Sequence, residues 1–511
     1  MPPTGSHYAL TGEVVTMDAA NRILPQGVVY IEGDTIRAVQ SRGEPVPVGF
    51  ERAPVLATRG TIYPGLMELH NHLSYDILPL WRAPRRFENR DQWMALVDKR
   101  RYISGPMEVL ASTPGCVEAI VRYVECKCLV AGVTTSQGLT LVSDAGIKKK
   151  YAGVVRNVEL PDHPGLKEAR TKVDDVDSAC AFLEQLKRAS CLLLHLAEGT
   201  NAAAAQHFRA LQMPQGVWAI TDALAGIHAL ALTPADLATL AQHGGCLVWS
   251  PLSNLLLYQQ TADVRAAKEA GVLTGIGSDW SPSGSKNLLA ELKFARLWSQ
   301  LNGGVFSDRE LVALATTNAA RILKWDRLLG SIEPGKLADL VVLSGSGGDP
   351  RYGMPTMMKS SRRGSESWTV DGKPRRLNLA CGEALPLINA LTLAEAKARL
   401  REGLAHLPDL ARSLEETPRG PSGDRSGGPI WSLVLEEDEV DAEASRPLAP
   451  AAQGVDRALE AVRAVPLKDL VVPMPLDELT VVDAPDVYLT RLAAQPNLPT
   501  PIRAELRRVY G

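Results

Sequence analysis

Short alternations of apolar and polar residues open the chain. Gly12–Asp18, Gly27–Asp34 and Thr35–Val39 each carry them, and Gly33-Asp34 sits between two such runs as a tight hairpin turn does. A period of two is that of a half-buried strand, so residues 1–62 predict the N-terminal part of a small β-sandwich. A related strand pair recurs at Ala338–Leu343 and around Trp368–Pro374. Residues 326–385 are therefore expected to supply the C-terminal part of the same domain, with the pairing of the two flanks left open by the pattern alone.

Between the flanks, from 63 to 325, apolar β-type runs alternate with helical periodicity, the signature of βαβ units around a parallel sheet. Seven runs read convincingly as strands: Thr61–Leu69, Gly132–Gln137, Gly153–Glu159, Cys191–Ala197, Ala225–Leu230, Cys246–Ser250 and Leu273–Ser278. Helix starts are well marked. Thr233-Pro234-Ala-Asp236 offers an N-cap, a proline at the first helical position and an early acid, with a stop at Gly244-Gly245. Ser307-Asp-Arg-Glu310 is a capping box expected to open one helix toward Leu323.

Thr392-Leu-Ala-Glu395 opens a further helix, so 386–412 reads as a helical segment. From 413 to 454 Pro, Gly and Ser dominate around the acidic block Glu436–Glu439, which reads as a flexible, solvated linker. The last stretch, 455–511, has few apolar residues for independent folding. It is expected to return to the main body as a lid or a brace.

At 511 residues the chain exceeds what one core usually serves, and 45% apolar with 22% charged residues leaves ample material for burial. A formal charge of −3 and the lack of a long basic run argue against nucleic acid or a membrane surface as partner. No stretch reaches the roughly 18 apolar residues of a spanning helix, and the first residues do not resemble a signal peptide, so a cytoplasmic location is expected. A homo-oligomer is left open. Only Cys126 and Cys128 of the seven cysteines lie close together, in a spacing that matches no usual zinc site. They read as reduced, buried fillers.

Candidate chemistry gathers where apolar runs end. Pro64-Gly-Leu-Met-Glu-Leu-His70-Asn-His72 closes a run with two histidines two apart, which on a strand project to the same side at its C-terminal end. Parallel barrels build their sites at that end. His195 ends Cys191–Leu194 and is followed by Glu198; His228 ends Leu224–Ile227; Asp279 ends Leu273–Ser278. Imidazole and carboxylate are the ligands expected for Zn²⁺ or Fe²⁺.

This constellation resembles the amidohydrolase superfamily over roughly residues 8 to 380. Supporting stretches are Gly132-Val-Thr-Thr135, Trp249-Ser-Pro-Leu-Ser-Asn254, Gly275–Pro282, Thr316–Arg321 and Gly330-Ser-Ile-Glu-Pro-Gly-Lys-Leu-Ala-Asp339. The resemblance implies a (β/α)8 TIM-like barrel with the small β-sandwich built from both flanks, plus the C-terminal extension. His-x-x-Glu after the fifth strand is similar to the mononuclear branch of deaminases, triazine hydrolases and imidazolonepropionase. By position, His70, His72, His195 and Asp279 would hold one divalent ion, Zn²⁺ first, with Fe²⁺ or Mn²⁺ as alternatives. Glu198, His228 and Asp279 would carry the proton transfers.

No lysine marks the end of a fourth strand, which argues against a carbamate-bridged pair of metals. Glu159 is a ligand in some relatives and is read here as solvated or structural. Trp81 and Arg82, on the long loop after His72, could stack a ring and hold an anion, and Asn254 and Trp280 complete the candidate substrate-binding set. Trp280 stands where many deaminases carry a small residue, which argues against a nucleobase. The expected activity is hydrolysis of a non-peptide C–N bond in a small cyclic or heteroaromatic substrate, by deamination or by ring opening. The rival is an inactive scaffold, disfavoured because the ligand set is complete.

Overall fold

Both ends of the predicted small domain meet in one sheet. The computed structural model describes residues 7–143, 148–151, 153–173, 175–343, 355–359, 366–370, 373–377, 391–416, 431–433, 435, 461–462, 464–479 and 485–510. Strands β1 (His7–Val15), β2 (Ile23–Glu32), β3 (Thr35–Ser41) and β4 (Val55–Pro64) join β15 (Leu340–Leu343) and β16 (Pro355–Lys359) in the order β16-β15-β4-β1-β2-β3. The flanks pair through β4 and β15, antiparallel with Ile62 opposite Val342, while β1 and β4 run parallel. Gly33 turns β2 into β3 at φ +61°, a conformation open to glycine at little cost. One face buries Tyr8, Leu10, Val29, Ile31 and Ile62 against Ile332. A separate hairpin, β17 (Glu366–Val370) with β18 (Lys373–Leu377), lies further along.

The middle of the chain builds two parallel sheets. Strands β5 (Leu66–Met67), β6 (Val133–Ser136) and β9 (Arg156–Asn157) form the first. In the second, β10 (Ala169–Lys172), β11 (Cys191–Leu196), β12 (Leu224–His228), β13 (Cys246–Trp249) and β14 (Thr274–Ile276) lie in chain order. Ala169 N–H donates to Val158 O at 2.9 Å, linking the first sheet to the second. Leu69 N–H donates to Ile276 O at 3.4 Å, and a parallel bridge joins Asn71 to Asp279, so the two sheets also meet at their other edges.

The sequence pattern yields seven of these eight strands. The eighth, β10, reads Ala-Arg-Thr-Lys and lacks an apolar run. Its alternation is nonetheless regular. Thr171 pairs with Leu193 and Lys172 with Leu194; Leu193 belongs to the inner apolar cluster with Met67, Leu69, Ile227 and Val248, whereas Leu194 packs outward with the helices.

Side-chain capping explains where the helices begin. Thr233 and Asp236 form a capping box for Pro234–Gln242, as Ser307 and Glu310 do for Asp308–Leu314 and Thr392 and Glu395 for Leu393–Ala405. Each cap contributes about 1 kcal/mol. The helix expected to run on to Leu323 is interrupted: it stops at Leu314 and restarts as Thr317–Ile322. Ala315 O is taken there by Met67 N–H at 2.8 Å, so the break ties this helix pair to β5.

Beyond the second flank, helix Leu393–Ala405 is followed by Leu407–Glu416, and β19 (Trp431–Leu433) pairs with β7 (Thr140–Ser143), itself paired with β8 (Lys148–Lys150). The acidic block Glu436–Glu439 lies outside the described residues. The C-terminal helices Pro485–Ala493 and Thr500–Tyr510, with Leu498 between them, bury Tyr488, Leu492, Leu498, Ile502 and Leu506 against Leu80, Leu252, Leu256 and Phe294. Among the described residues no helix is long and apolar enough to cross a membrane.

Gly277 follows β14 and packs directly on His70. A Cβ there would stand 2.6 Å from His70 N and 2.7 Å from His70 O, so backbone would have to move. Gly277→Ala should cost about 1–3 kcal/mol in urea unfolding. An unchanged unfolding midpoint would show that the first and last parallel strands are less tightly set than this contact requires.

Candidate metal centre

Strand ends bring five donors together. Asp279 N–H donates to His70 O at 2.9 Å and His72 N–H to Asp279 O at 2.7 Å, so the backbone beyond β5 and β14 interlaces at the site. His70 Nε2 and His72 Nε2 lie 3.2 and 3.3 Å from Asp279 Oδ1. His195 Nε2 is 3.3 Å from His72 Nε2. Two overlapping groups have donor atoms within 4.8 Å of one another, His70 with His72 and Asp279, and His70 with His195 and His228. All five residues are in place, and His228, read from sequence only as an acid–base group, stands among the donors.

His228 and Asp279 reach this point through unusual backbone. In register His228 opposes Leu196, which packs outward with the helices. Its φ of +67° breaks the strand alternation, and Asp279 has φ +69°. Left-handed non-glycine residues cost of order 1 kcal/mol or more and concentrate at functional sites. His228 is the last residue of β12, and Asp279 follows the end of β14 by three residues.

One short helix, Pro251–Tyr258, holds three of the reactive groups. Ser253 Oγ donates to Asp279 Oδ2 at 2.5 Å, Asn254 Oδ1 is 2.9 Å from His228 Nδ1, and Tyr258 Oη donates to Glu198 Oε1 at 2.6 Å. Asn254 also donates through Nδ2 to Thr261 Oγ1 at 3.3 Å, which turns its carbonyl oxygen toward the imidazole. The network thus assigns the proton to His228 Nδ1 and leaves Nε2 bare. Glu198 Oε2 is 3.8 Å from that nitrogen. Ser253 and Tyr258 were not singled out in the sequence. Tyr258 lies four residues after Asn254, one helical turn on, and that spacing is the signal that could have found it.

Charge follows burial. His195 is held well below the usual imidazole range, by burial first and then by the neighbouring histidines. His72 and His228 are also lowered, chiefly by burial, with Asp279 and Glu198 opposing. For Asp279 burial works upward, but His70 and His72 outweigh it and keep the carboxylate ionised. Neutral imidazoles with bare nitrogens around a carboxylate form the donor set of a divalent cation. Neither ring nitrogen of fully buried His70 makes a well-formed hydrogen bond. Buried polar atoms rarely go unsatisfied, and a bound cation would satisfy one of these. The residues therefore fit a metal.

Other sequence candidates lie elsewhere. Glu159 pairs with Lys150 at 3.0 Å and faces a cleft open to solvent, lined also by Asn71, His72, Gln137, Thr171 and Val173. It belongs to neither donor group. The fourth parallel strand does end in a lysine, Lys172, but Thr171 and Val173 line the cleft, so alternation directs Lys172 the other way. Trp81 is buried and donates to Asp98 at 2.9 Å, and Arg82 is exposed. Neither joins the donor cluster. Trp280 does approach it, 5.4 Å from the His72 ring and 5.9 Å from Trp93.

Two parallel sheets with a flanking mixed sheet and a buried His/Asp centre define an α/β protein with a candidate metal site. Residues 61–374 match the model of the amidohydrolase family, more than half of the chain, and the chain belongs to that family. It acts on carbon–nitrogen bonds other than peptide bonds. It is 25% identical over 433 residues to a 5-methylthioadenosine/S-adenosylhomocysteine deaminase of Moorella thermoacetica, covering 75% of this chain and 96% of that protein. A protein of the same description from Teredinibacter turnerae is 31% identical over 139 residues, covering 26% of this chain and only 31% of that protein.

Among solved structures, an adenosine deaminase from Xanthomonas campestris with bound zinc aligns with TM-score 0.57 at 19% identity, over 78% of this chain and 100% of that one. An atrazine chlorohydrolase from Arthrobacter aurescens TC1 complexed with zinc aligns with TM-score 0.55 at 17% identity, over 78% and 99%. These two likenesses concern the fold.

His70 is common to both donor groups. His70→Ala should therefore empty the centre, and His195→Ala should weaken it severely, both read by metal analysis of purified protein against about one ion per chain in the wild type. Two tightly held ions per wild-type chain would contradict a single shared centre.

Proposed function

We propose that this chain is a mononuclear zinc-dependent deaminase of an amino-substituted heteroaromatic ring. The observation that carries the proposal is the convergence of His70, His72, His195, His228 and Asp279 with Glu198 held alongside by Tyr258. In this reading the eight parallel strands close into a (β/α)8 barrel spanning 63–325. The six-stranded sheet and the β17–β18 hairpin make the small β-sandwich domain from 1–62 and 326–385, and 455–511 is an extension braced on the barrel. His70, His72, His195 and Asp279 would hold the ion, with His228 facing it from the sixth strand. Zinc is favoured by the donor set and by the zinc recorded in the similar structures. Deamination is favoured over ring opening by the relatives described as deaminases.

A zinc ion bound there supplies Lewis acidity, bringing the pKa of a water from about 15.7 toward ~7. The chain's own groups then handle protons. Glu198 takes a proton from the attacking water and delivers it to the departing nitrogen. The Tyr258 hydroxyl, which itself accepts from Trp93 Nε1 at 2.9 Å, fixes the Glu198 carboxylate in one orientation. His228, with Nδ1 committed to Asn254, presents Nε2 as an acceptor and becomes a donor to a developing oxyanion only after taking a proton. Asp279, steadied by Ser253, serves as ligand and as a second proton acceptor. Trp280 and Trp93 offer aromatic surface beside these groups on which a planar ring could stack.

Glu198→Gln keeps the shape and removes the proton carrier. Ammonia release from the best substrate in a panel of aminated heterocycles and cyclic amides should fall about 10²–10⁴-fold, with metal content unchanged. Near-wild-type turnover in Glu198→Gln would move proton transfer to Asp279 or His228. Acid formation without ammonia in the wild type would replace deamination by ring opening.

A further inference from the structure

A carboxylate from the far end of the chain is linked to the loops around the metal centre through a buried lysine, Lys127. Asp477 lies beyond the span that matches the family, 61–374, and is 5% exposed. Its Oδ2 accepts from Lys127 Nζ at 2.7 Å and its Oδ1 from Lys286 Nζ at 2.8 Å. Both lysines are 2% exposed or less. Asp477 N–H donates to Ile77 O at 2.9 Å, and Tyr123 Oη donates to Asp477 O at 2.5 Å, so the segment 464–479 is fastened to the main body at this residue.

The contacts continue inward. Lys127 Nζ also donates to Asp76 O at 2.7 Å and to Ser281 Oγ at 2.6 Å, which uses all three of its N–H groups. Asp76 Oδ1 accepts from Ser281 N at 2.8 Å and from Ser281 Oγ at 3.0 Å, and Asp76 Oδ2 accepts from Asn71 Nδ2 at 3.1 Å. Asn71 stands between His70 and His72, and Ser281 stands two residues after Asp279. One relay therefore runs from the C-terminal segment to both loops that carry metal-site residues.

We propose that Asp477 is a positioning residue for the hydrolytic reaction, a carboxylate supplied in cis by the C-terminal extension that holds Lys127 on Ser281 and thereby sets His70, His72 and Asp279. This rests on the reading of those residues as the metal site. Buried ammonium groups without a counter-ion are strongly unfavourable. Burial pushes Lys286 down to about 8 even with Asp477 opposing, and the two lysines hold Asp477 below the usual carboxylate range although burial acts the other way. Without Asp477, Lys127 is left beside the Asp76 carboxyl, on which its charge already acts and which is now occupied with Ser281 and Asn71. Lys127 would compete for it, and both metal-site loops would lose their register.

The test uses the full-length chain loaded with Zn²⁺ alone, with zinc loss to a chelator, thermal melting and steady-state kinetics measured separately. Asp477→Asn should lose zinc about 10-fold faster than wild type, in line with the 10–100-fold cost of disturbing groups that orient metal ligands. Its kcat should fall by more than its KM rises. Asp477→Asn with Lys286→Met restores the charge count; it should melt with the wild type and still lose zinc rapidly, because Lys127 lacks its anion. Ser281→Ala leaves the Asp477 ion pairs in place and should by itself speed zinc loss to the same degree, without adding to Asp477→Asn.

Zinc loss at the wild-type rate in Ser281→Ala, or in the charge-balanced double variant, would overturn the relay and leave Asp477 a fastening of the tail alone. Independent, multiplicative effects of Ser281→Ala and Asp477→Asn would overturn it as well. Wild-type protein that takes up no zinc would overturn the metal-site reading and the relay together.

Discussion

Four imidazoles and a carboxylate packed out of water impose the constraint around which the rest of the structure is arranged. His195 Nε2 and His72 Nε2 lie 3.3 Å apart, and the rings of His72, His195 and His228 stand 4.7 to 5.0 Å from that of His70, with His72 at the edge of the solvent-open cleft and the others buried. Burial drives three of these rings toward the neutral form, so their lone pairs converge where no proton is readily held. A divalent cation held by these residues would relieve the repulsion among them and balance Asp279. The left-handed backbone at His228 and Asp279 has the same origin: strand geometry alone would direct His228 outward, and the local cost is met by what the site gains.

Support for this cluster comes from a layer outside it. Helix Pro251–Tyr258 contributes Ser253, Asn254 and Tyr258, each bonded to a different reactive residue, and its N-terminal Leu252 N–H donates to Glu291 at 3.1 Å. The outer face of that helix is covered by the C-terminal extension, where Asn497 Nδ2 donates to Leu256 O at 2.9 Å and to Arg85 O at 2.8 Å. Groups that orient metal ligands need rigid supports of their own, and here helix and extension together provide them.

Much of this was legible in the sequence, for definite reasons. His70, His72, His195 and Asp279 end apolar runs, so strand periodicity marks both their element and the end of it at which they sit. The capping boxes at Thr233, Ser307 and Thr392 act within four residues and read directly. What depends on partners far away in the chain did not read. Strand β10 is made by its neighbours, since Ala-Arg-Thr-Lys has no apolar run of its own. The break after Leu314 depends on Met67, nearly 250 residues earlier, and nothing local to Asp477 marks a residue whose cationic partners are Lys127 and Lys286. On the loop after His72 the partner of Trp81 is likewise invisible from the sequence: its indole donates to Asp98, while Arg82 is exposed.

One cation held at these strand ends would take nitrogen and oxygen donors alone. X-ray absorption at the zinc edge of the stoichiometrically loaded full-length protein reads that coordination shell directly. Four or five nitrogen and oxygen neighbours at about 2.0–2.2 Å are expected, with the outer-shell pattern of several imidazoles. A sulfur neighbour at about 2.3 Å, or a second metal at about 3.5–4 Å, would contradict it.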